Sequence, residues 1–81
     1  MKAKLYDGII TLVDIKTNSA RNVIPKGTQG SIVECYENPE GYAVDLAIPD
    51  NSLITDYDYE NVILYPEQFR VINSINETVA V

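Results

Sequence analysis

One stretch decides the fold: Ser31-Ile32-Val33-Glu34-Cys35-Tyr36, the loop Glu37-Asn38-Pro39-Glu40-Gly41, and Tyr42-Ala43-Val44-Asp45-Leu46-Ala47-Ile48. Both outer segments are rich in β-branched and aromatic residues, and the second alternates large apolar residues with small or polar ones. The loop between them has the length and composition of a hairpin turn. The stretch therefore predicts two antiparallel strands joined by a hairpin.

Short apolar runs on either side of this hairpin predict three more strands. They cover residues 8–15, 61–65 and 69–72. The segment 66–68, which begins with Pro66, is too short for an α-helix and predicts a single 3₁₀ turn. Residues 16–22 are polar and predict an exposed loop. Because no apolar stripe with helical spacing persists for a full helix, the sequence indicates an all-β protein.

The chain has 81 residues, which leaves room for one small core. Five short strands cover such a core only by curling. We therefore expect an all-β, single-domain fold, a small five-stranded SH3-like barrel over residues 1–72. Residues 73–81 are expected to form a C-terminal tail that is frayed or adds an edge strand. The predicted core contains Ile10, Leu12, Ile32, Val44, Leu46, Val62, Leu64 and Val71.

Charge limits the partners that this chain can bind. Twelve acidic residues against six basic ones give a net charge of −6, and five of the basic residues lie in residues 1–26. An acidic domain repels phosphate backbones and anionic lipids, so we expect neither nucleic acid nor a membrane as partner. No apolar run is long enough to span a bilayer, and residues 1–10 lack the apolar stretch of a signal peptide. The sequence predicts a cytoplasmic protein.

A family resemblance supports the predicted fold. The pattern Lys26-Gly27-x-x-Gly30-x-Ile32-Val33-Glu34-x-Tyr36, together with Leu5-Tyr6-Asp7 and the hairpin, resembles the bacterial domain-of-unknown-function family 4926. Its members look like SH3-like barrels, so the resemblance implies that architecture for residues 5–72. The family has no established catalytic residues, and the resemblance implies none here.

The residue types present argue against catalysis. The chain contains no histidine, so the usual base for a serine or cysteine nucleophile and the usual zinc ligand sets are missing. Its one cysteine, Cys35, lies in a predicted strand beside Glu34, whose charge disfavours a thiolate. Cys35 is therefore predicted to be a core residue. We expect no enzymatic activity, no catalytic residue, no metal and no cofactor.

The segment from Asp56 to Glu60 alternates carboxylates with tyrosines and is the best candidate for a binding surface. Tyrosine is enriched in protein interfaces because its ring packs against a partner while its hydroxyl stays hydrated. The predicted partner-binding residues are Asp56, Tyr57, Asp58, Tyr59 and Glu60. Aromatic anchors among carboxylates suit a basic protein partner. We predict an accessory, regulatory or immunity-type subunit that docks on another protein, with its oligomeric state left open.

Two other hypotheses about function stay open at this point. A barrel of this kind suits a module that binds RNA or the ribosome, as KOW-type barrels do, although the charge opposes it. Asp56, Asp58, Glu60 and Glu67 have spacings reminiscent of a calcium loop and would form an irregular cation site. Without a cation, these neighbouring carboxylates need a counter-charge, which the basic N-terminal segment or a partner can supply.

Overall fold

The computed structural model describes residues 1–19, 21–49 and 57–73. Its strands are β1 (Gly8–Thr11), β2 (Ile15–Lys16), β3 (Val23–Ile24), β4 (Gln29–Tyr36), β5 (Gly41–Pro49), β6 (Tyr57–Leu64) and β7 (Phe69–Asn73). A 3₁₀ helix, Pro66–Gln68, precedes β7, as predicted. No α-helix occurs in the described ranges. The predicted all-β class is confirmed.

Five of the strands form one antiparallel sheet in the order β6-β5-β4-β1-β7. The predicted hairpin is confirmed: β4 and β5 pair from Gln29↔Ala47 to Tyr36↔Gly41. On its other side, β5 pairs with β6 from Tyr42↔Leu64 to Pro49↔Tyr57. From Tyr42 to Ala47, β5 therefore has a neighbouring strand on each side.

The predicted count of five strands is wrong, since seven strands lie in the described residues. The strand predicted at residues 8–15 ends at Thr11. There the Thr11 N–H donates to the Thr28 carbonyl (2.9 Å), and the next N–H, that of Leu12, donates to the Gln68 carbonyl (2.8 Å). Ile15 then begins a separate two-stranded hairpin, β2–β3. Strands of two residues are too short to give a hydrophobic period, so the sequence indicates only a polar loop there.

The core gathers side chains from every strand of the large sheet. Its fully buried large side chains are Tyr42, Phe69, Ile9, Ile24, Ile32, Leu46, Leu64 and Val44. Ile32, Val44, Leu46 and Leu64 confirm the prediction, and the predicted residues Val62 and Val71 pack against the cluster while partly buried. Tyr42 and Phe69 lie edge to face, with ring centroids 5.3 Å apart.

Two predicted core residues are wrong, and both come from β1 and its continuation. Leu12 is 39% exposed and Ile10 is half-buried, whereas Ile9 is completely buried. Both faces of this segment are apolar, so its period does not identify the inner face. The inner face is set by pairing, because Ile9 lies between Gly30 on β4 and Val71 on β7.

The hairpin also differs in one pairing from what its tyrosines suggest. Tyr36 and Tyr42 flank the turn and predict a cross-strand pair. In the structure Tyr42 pairs with Cys35, and Tyr36 pairs with Gly41. Tyr42 is fully buried, whereas Tyr36 is 44% exposed. The four-residue turn sets this register, and it places the two rings on opposite faces of the sheet.

The last strand ends one residue beyond the predicted domain boundary. β7 includes Asn73, which pairs with Gly8. The predicted tail is otherwise residues 74–81, which lie outside the described residues. Across the described ranges, no helix has the length and apolarity needed to cross a bilayer.

Candidate functional site

β6 divides the predicted partner-binding residues between the two faces of the sheet. Tyr59 pairs with Ala47, which points outward, whereas Asp58 pairs with Ile48, which is buried in the core. Because side chains alternate along a strand, Tyr57 joins Tyr59 on the outer face and Glu60 joins Asp58 on the inner face. Asp56 lies outside the described residues.

The two tyrosines form one wall of a groove on the outer face. Its other walls are residues 25–29 and the β5 residues Ala47 and Pro49, and its volume is about 470 Å³. Tyr57 is 47% exposed and Tyr59 is 64% exposed. We call this surface the tyrosine groove.

The floor of the tyrosine groove exists because β5 carries small residues on its outer face. Ala43 and Ala47 alternate there with Asp45, while the inner positions hold large residues such as Val44 and Leu46. The exposed tyrosine rings of β6 lie beside these small side chains of β5. The sequence shows the alternation, but it does not show that residues 25–29 fold over to close the groove.

Arg21 pairs with both inner-face carboxylates and offsets part of their charge. Arg21 donates from Nη2 to Asp58 Oδ2 at 2.5 Å, and its Nε lies 3.5 Å from Glu60 Oε1. Ser19 Oγ also donates to Glu60 Oε1 at 3.1 Å. The predicted need for a counter-charge from the basic N-terminal segment is confirmed. These residues line a second, smaller cavity of about 350 Å³.

The turn between β2 and β3 holds Arg21 in place. The Thr17 N–H donates to the Asn22 carbonyl at 2.9 Å. Thr17 Oγ1 and Ser19 Oγ share a hydrogen bond of 2.8 Å, and the Arg21 N–H donates to Ser19 Oγ at 3.2 Å. The polar residues that predict an exposed loop instead tie that loop to β6.

The Arg21–Glu60 contact is testable by a double-mutant cycle with Arg21→Met and Glu60→Gln. We expect a coupling of about 0.5–1 kcal/mol in the free energy of unfolding, because the two side chains are partly screened by solvent. Urea unfolding at low salt measures it, and 1 M NaCl should reduce it. Arg70→Met combined with Glu60→Gln is the control and should be additive, since β7 and β6 are opposite edges of the sheet. Additivity of Arg21→Met and Glu60→Gln at low salt would contradict the pairing.

Asp58 and Glu67, two of the residues proposed for a cation site, are not brought together, and Asp56 lies outside the described residues. Glu67 lies in the 3₁₀ helix after β6, whereas Asp58 is near the start of that strand. Leu64 is six positions along the strand from Asp58, which amounts to about 20 Å. Within the described part of the chain, no group of three histidine, cysteine or carboxylate residues is arranged to hold a metal ion.

The thiol of Cys35 is held in its protonated form. Burial raises the pKa of Cys35, and the negative charges of Asp7 and Glu34 raise it further. The side chain is partly buried and packs against the core, as predicted. An anionic neighbourhood of this kind disfavours a thiolate nucleophile.

Comparison with known proteins adds no relative to this picture. No family model matches the chain, and no curated protein and no solved structure matches it. The resemblance to family 4926 stays a prediction that rests on the motif in residues 26–36. The tyrosine groove and the surface around Arg21 are therefore the features from which a function can be inferred.

Proposed function

We propose that this chain is a non-enzymatic protein-interaction module with a small SH3-like barrel fold. It acts in the cytoplasm as an accessory, regulatory or immunity-type subunit that docks on a partner protein. The tyrosine groove is the docking surface, with Tyr57 and Tyr59 as its anchors. The exposure of these two rings beside an apolar floor is the observation that carries the proposal.

Core packing supports the barrel. The sheet order places β6 and β7 at opposite edges. Nevertheless Leu64 from β6 and Phe69 from β7 belong to the same buried cluster as Leu46 from β5. A flat sheet would keep its two edges about 19 Å apart. Curling into a barrel brings the inner faces of both edge strands onto one core.

The chemistry of the groove supports protein binding. Tyrosine side chains are frequent among the residues that dominate binding energy, especially beside pockets that exclude water. Pro25, Ala47 and Pro49 give the groove an apolar lining. The exposed rings of Tyr57 and Tyr59 also lose little conformational entropy on binding, because a tyrosine side chain has few rotatable bonds.

The predicted basic character of the partner rests on the charge of the whole chain. The single positive charge of Arg21 offsets one of the two negative charges of Asp58 and Glu60. The net charge of −6 still attracts a basic protein over a distance and speeds its encounter with the groove. Association should therefore slow as salt increases.

The test compares Tyr59→Ala with Tyr36→Ala in binding to a partner captured from source-cell lysate. Tyr36 is the matched control because it is 44% exposed and lies at the other end of β5's pairing with β4. We expect Tyr59→Ala to dissociate at least about 30-fold faster, the effect of losing a hot-spot residue. Tyr36→Ala should bind like the parent, and both variants should retain the parent's thermal midpoint. Unchanged dissociation of Tyr59→Ala, with faster dissociation of Tyr36→Ala, would place the site elsewhere.

A further inference from the structure

The N-terminal residues lie across the end of the barrel that is opposite to the tyrosine groove. The Lys2 backbone N–H donates to Glu40 Oε2 at 2.8 Å, and the Ala3 N–H donates to the Tyr42 hydroxyl at 3.2 Å. Tyr42 is about 23 Å along β5 from Pro49, which lines the groove. Two consecutive backbone N–H groups therefore donate hydrogen bonds to two side chains of β5 and the turn before it.

The ammonium group of Lys2, an exposed residue, contacts three further groups. Nζ donates to the carbonyl of Pro66 and to the carbonyl of Phe69, each at 2.5 Å. It also lies 4.8 Å from the centroid of the Phe69 ring. Two carbonyls and an aromatic face suit the compact charge and the three donors of a primary ammonium. We call Glu40, Tyr42, Pro66 and Phe69 the lysine cradle.

The position after the lysine accepts a small side chain. Ala3 is 4% exposed and belongs to the buried core cluster. A larger residue would have to displace packed core atoms, and overpacking of this kind destabilises a core. The cradle therefore selects for a lysine followed by a small residue on an extended backbone.

The lysine cradle is built by the body of the fold. The rings of Tyr42 and Phe69 are fully buried and lie edge to face, at an interplanar angle of 84°. The hydrogen bond from the Tyr42 hydroxyl lowers the pKa of Glu40, and the Lys2 backbone N–H lowers it further. Burial raises the pKa of Tyr42, and Glu40 raises it too. At neutral pH Glu40 is thus an anion and Tyr42 a donor, which is the state that the segment contacts.

The connection from this segment to β1 is less favourable than the cradle contacts. Tyr6 has a φ of 69°, in the left-handed region that a bulky residue rarely adopts. Asp7 is 2% exposed, and among the described residues its Oδ1 has no hydrogen-bond partner. A strained backbone and a buried polar atom without a partner are each unfavourable. They reduce the net stability of the bound segment.

We propose that the lysine cradle is a binding site for a lysine-bearing segment of a partner protein, filled at rest by this chain's own Lys2–Ala3. A partner segment with a lysine followed by a small residue competes with residues 1–3 for the same contacts. The charge of the chain, −6, favours such a basic segment. The site is separate from the tyrosine groove and does not depend on the function proposed for it.

The first experiment uses the full chain with Lys2→Ala and n-butylammonium as probe, with n-butanol as its uncharged match. We expect butylammonium to bind Lys2→Ala at millimolar concentration, to shift the NMR signals of Phe69 and Glu40, and to raise the thermal midpoint. The parent, whose cradle is filled, should need at least about tenfold more probe, as the effective concentration of a tethered lysine implies. A rise in the thermal midpoint of Lys2→Ala on adding butylammonium is itself a sign of binding. The test therefore also works if Lys2→Ala is only marginally folded.

The second experiment uses a peptide with the sequence of residues 1–5 and a matched peptide that carries methionine in place of its lysine at position 2. The parent peptide should bind Lys2→Ala at least tenfold more tightly than the methionine peptide, with shifts at Phe69. Equal effects of butanol and butylammonium would overturn the proposal, since they would indicate a merely apolar gap. Failure of both butylammonium and the peptide to bind folded Lys2→Ala would overturn it as well, because residues 1–3 would then be a fixed structural contact.

Discussion

Phe69→Ala is expected to lower the free energy of unfolding by about 3–5 kcal/mol, the range found for large aromatic residues removed from packed cores. Phe69 is completely buried. Its ring packs edge to face on Tyr42 and lies beneath the Lys2 ammonium. The substitution removes all of these contacts and leaves a cavity between β7 and β5. For a domain of this size, that loss is comparable with the total stability.

Urea unfolding followed by circular dichroism measures this effect. Ile72→Ala is the control on the same strand, because Ile72 is 41% exposed. It should cost less than about 1 kcal/mol. If Phe69→Ala is too unstable to measure, Phe69→Leu keeps part of the volume and should fall between the two. A loss below 1 kcal/mol for Phe69→Ala would mean that β7 is not closed over the core as described.

Gly30→Ala is expected to have the second-largest effect, a loss of about 3 kcal/mol, at the upper end of the usual cost of overpacking. A Cβ atom on Gly30 would lie 2.5 Å from the Asp45 carbonyl oxygen and 2.9 Å from Leu46 Cδ2. The first of these atoms belongs to the backbone, so rotation of a side chain cannot relieve the contact. β4 and β5 would have to separate at Gly30↔Leu46, near the Gln29↔Ala47 end of their ladder.

Gly41→Ala is the matched control for Gly30→Ala, because Gly41 is the other glycine in the strands of this hairpin. Its nearest neighbour to an added Cβ is Tyr65 Cε1 at 3.5 Å, an ordinary van der Waals contact. We expect a change of less than about 1 kcal/mol. Equal losses for the two variants in thermal or urea unfolding would show that the close approach at Gly30 is not what limits substitution.

The elements that sequence predicted correctly are those whose signal is local. The hairpin of β4 and β5 combines alternating apolar residues with turn residues at its tip, and the 3₁₀ helix begins with a proline. The inner face of β1 could not be predicted in the same way. Ile9 and Ile10 are equally apolar, and the choice between them is made by Gly30 and Val71, which are distant in sequence.

The candidate site was predictable in part for the same reason. The alternation in residues 57–60 correctly separates tyrosines from carboxylates on opposite faces of a strand. Which face is solvated depends on contacts far along the chain: Arg21 pairs with both Asp58 and Glu60. Residues 25–29 wall the groove beside the tyrosines. The contacts of Lys2 with Pro66 and Phe69 span more than sixty residues, and no local pattern indicates them.

The three surfaces suggest distinct roles. The tyrosine groove is exposed and has an apolar floor, the cavity beside Arg21 is lined by ion-paired side chains, and the lysine cradle is filled by the chain's own segment. Of these three surfaces, the tyrosine groove is the one whose aromatic side chains, Tyr57 and Tyr59, are exposed. It is therefore the surface on which the proposed function depends.

The most direct test is an NMR footprint of the isotope-labelled protein in complex with its captured protein partner. We expect the largest signal changes at Tyr57, Tyr59, Ala47 and residues 25–29. In Tyr59→Ala, these signal changes should become smaller together with the affinity for the partner. Changes confined to the surface around Arg21, Asp58 and Glu60, with the groove signals unmoved, would contradict the account. So would a captured partner that is RNA, with affinity falling steeply as salt increases.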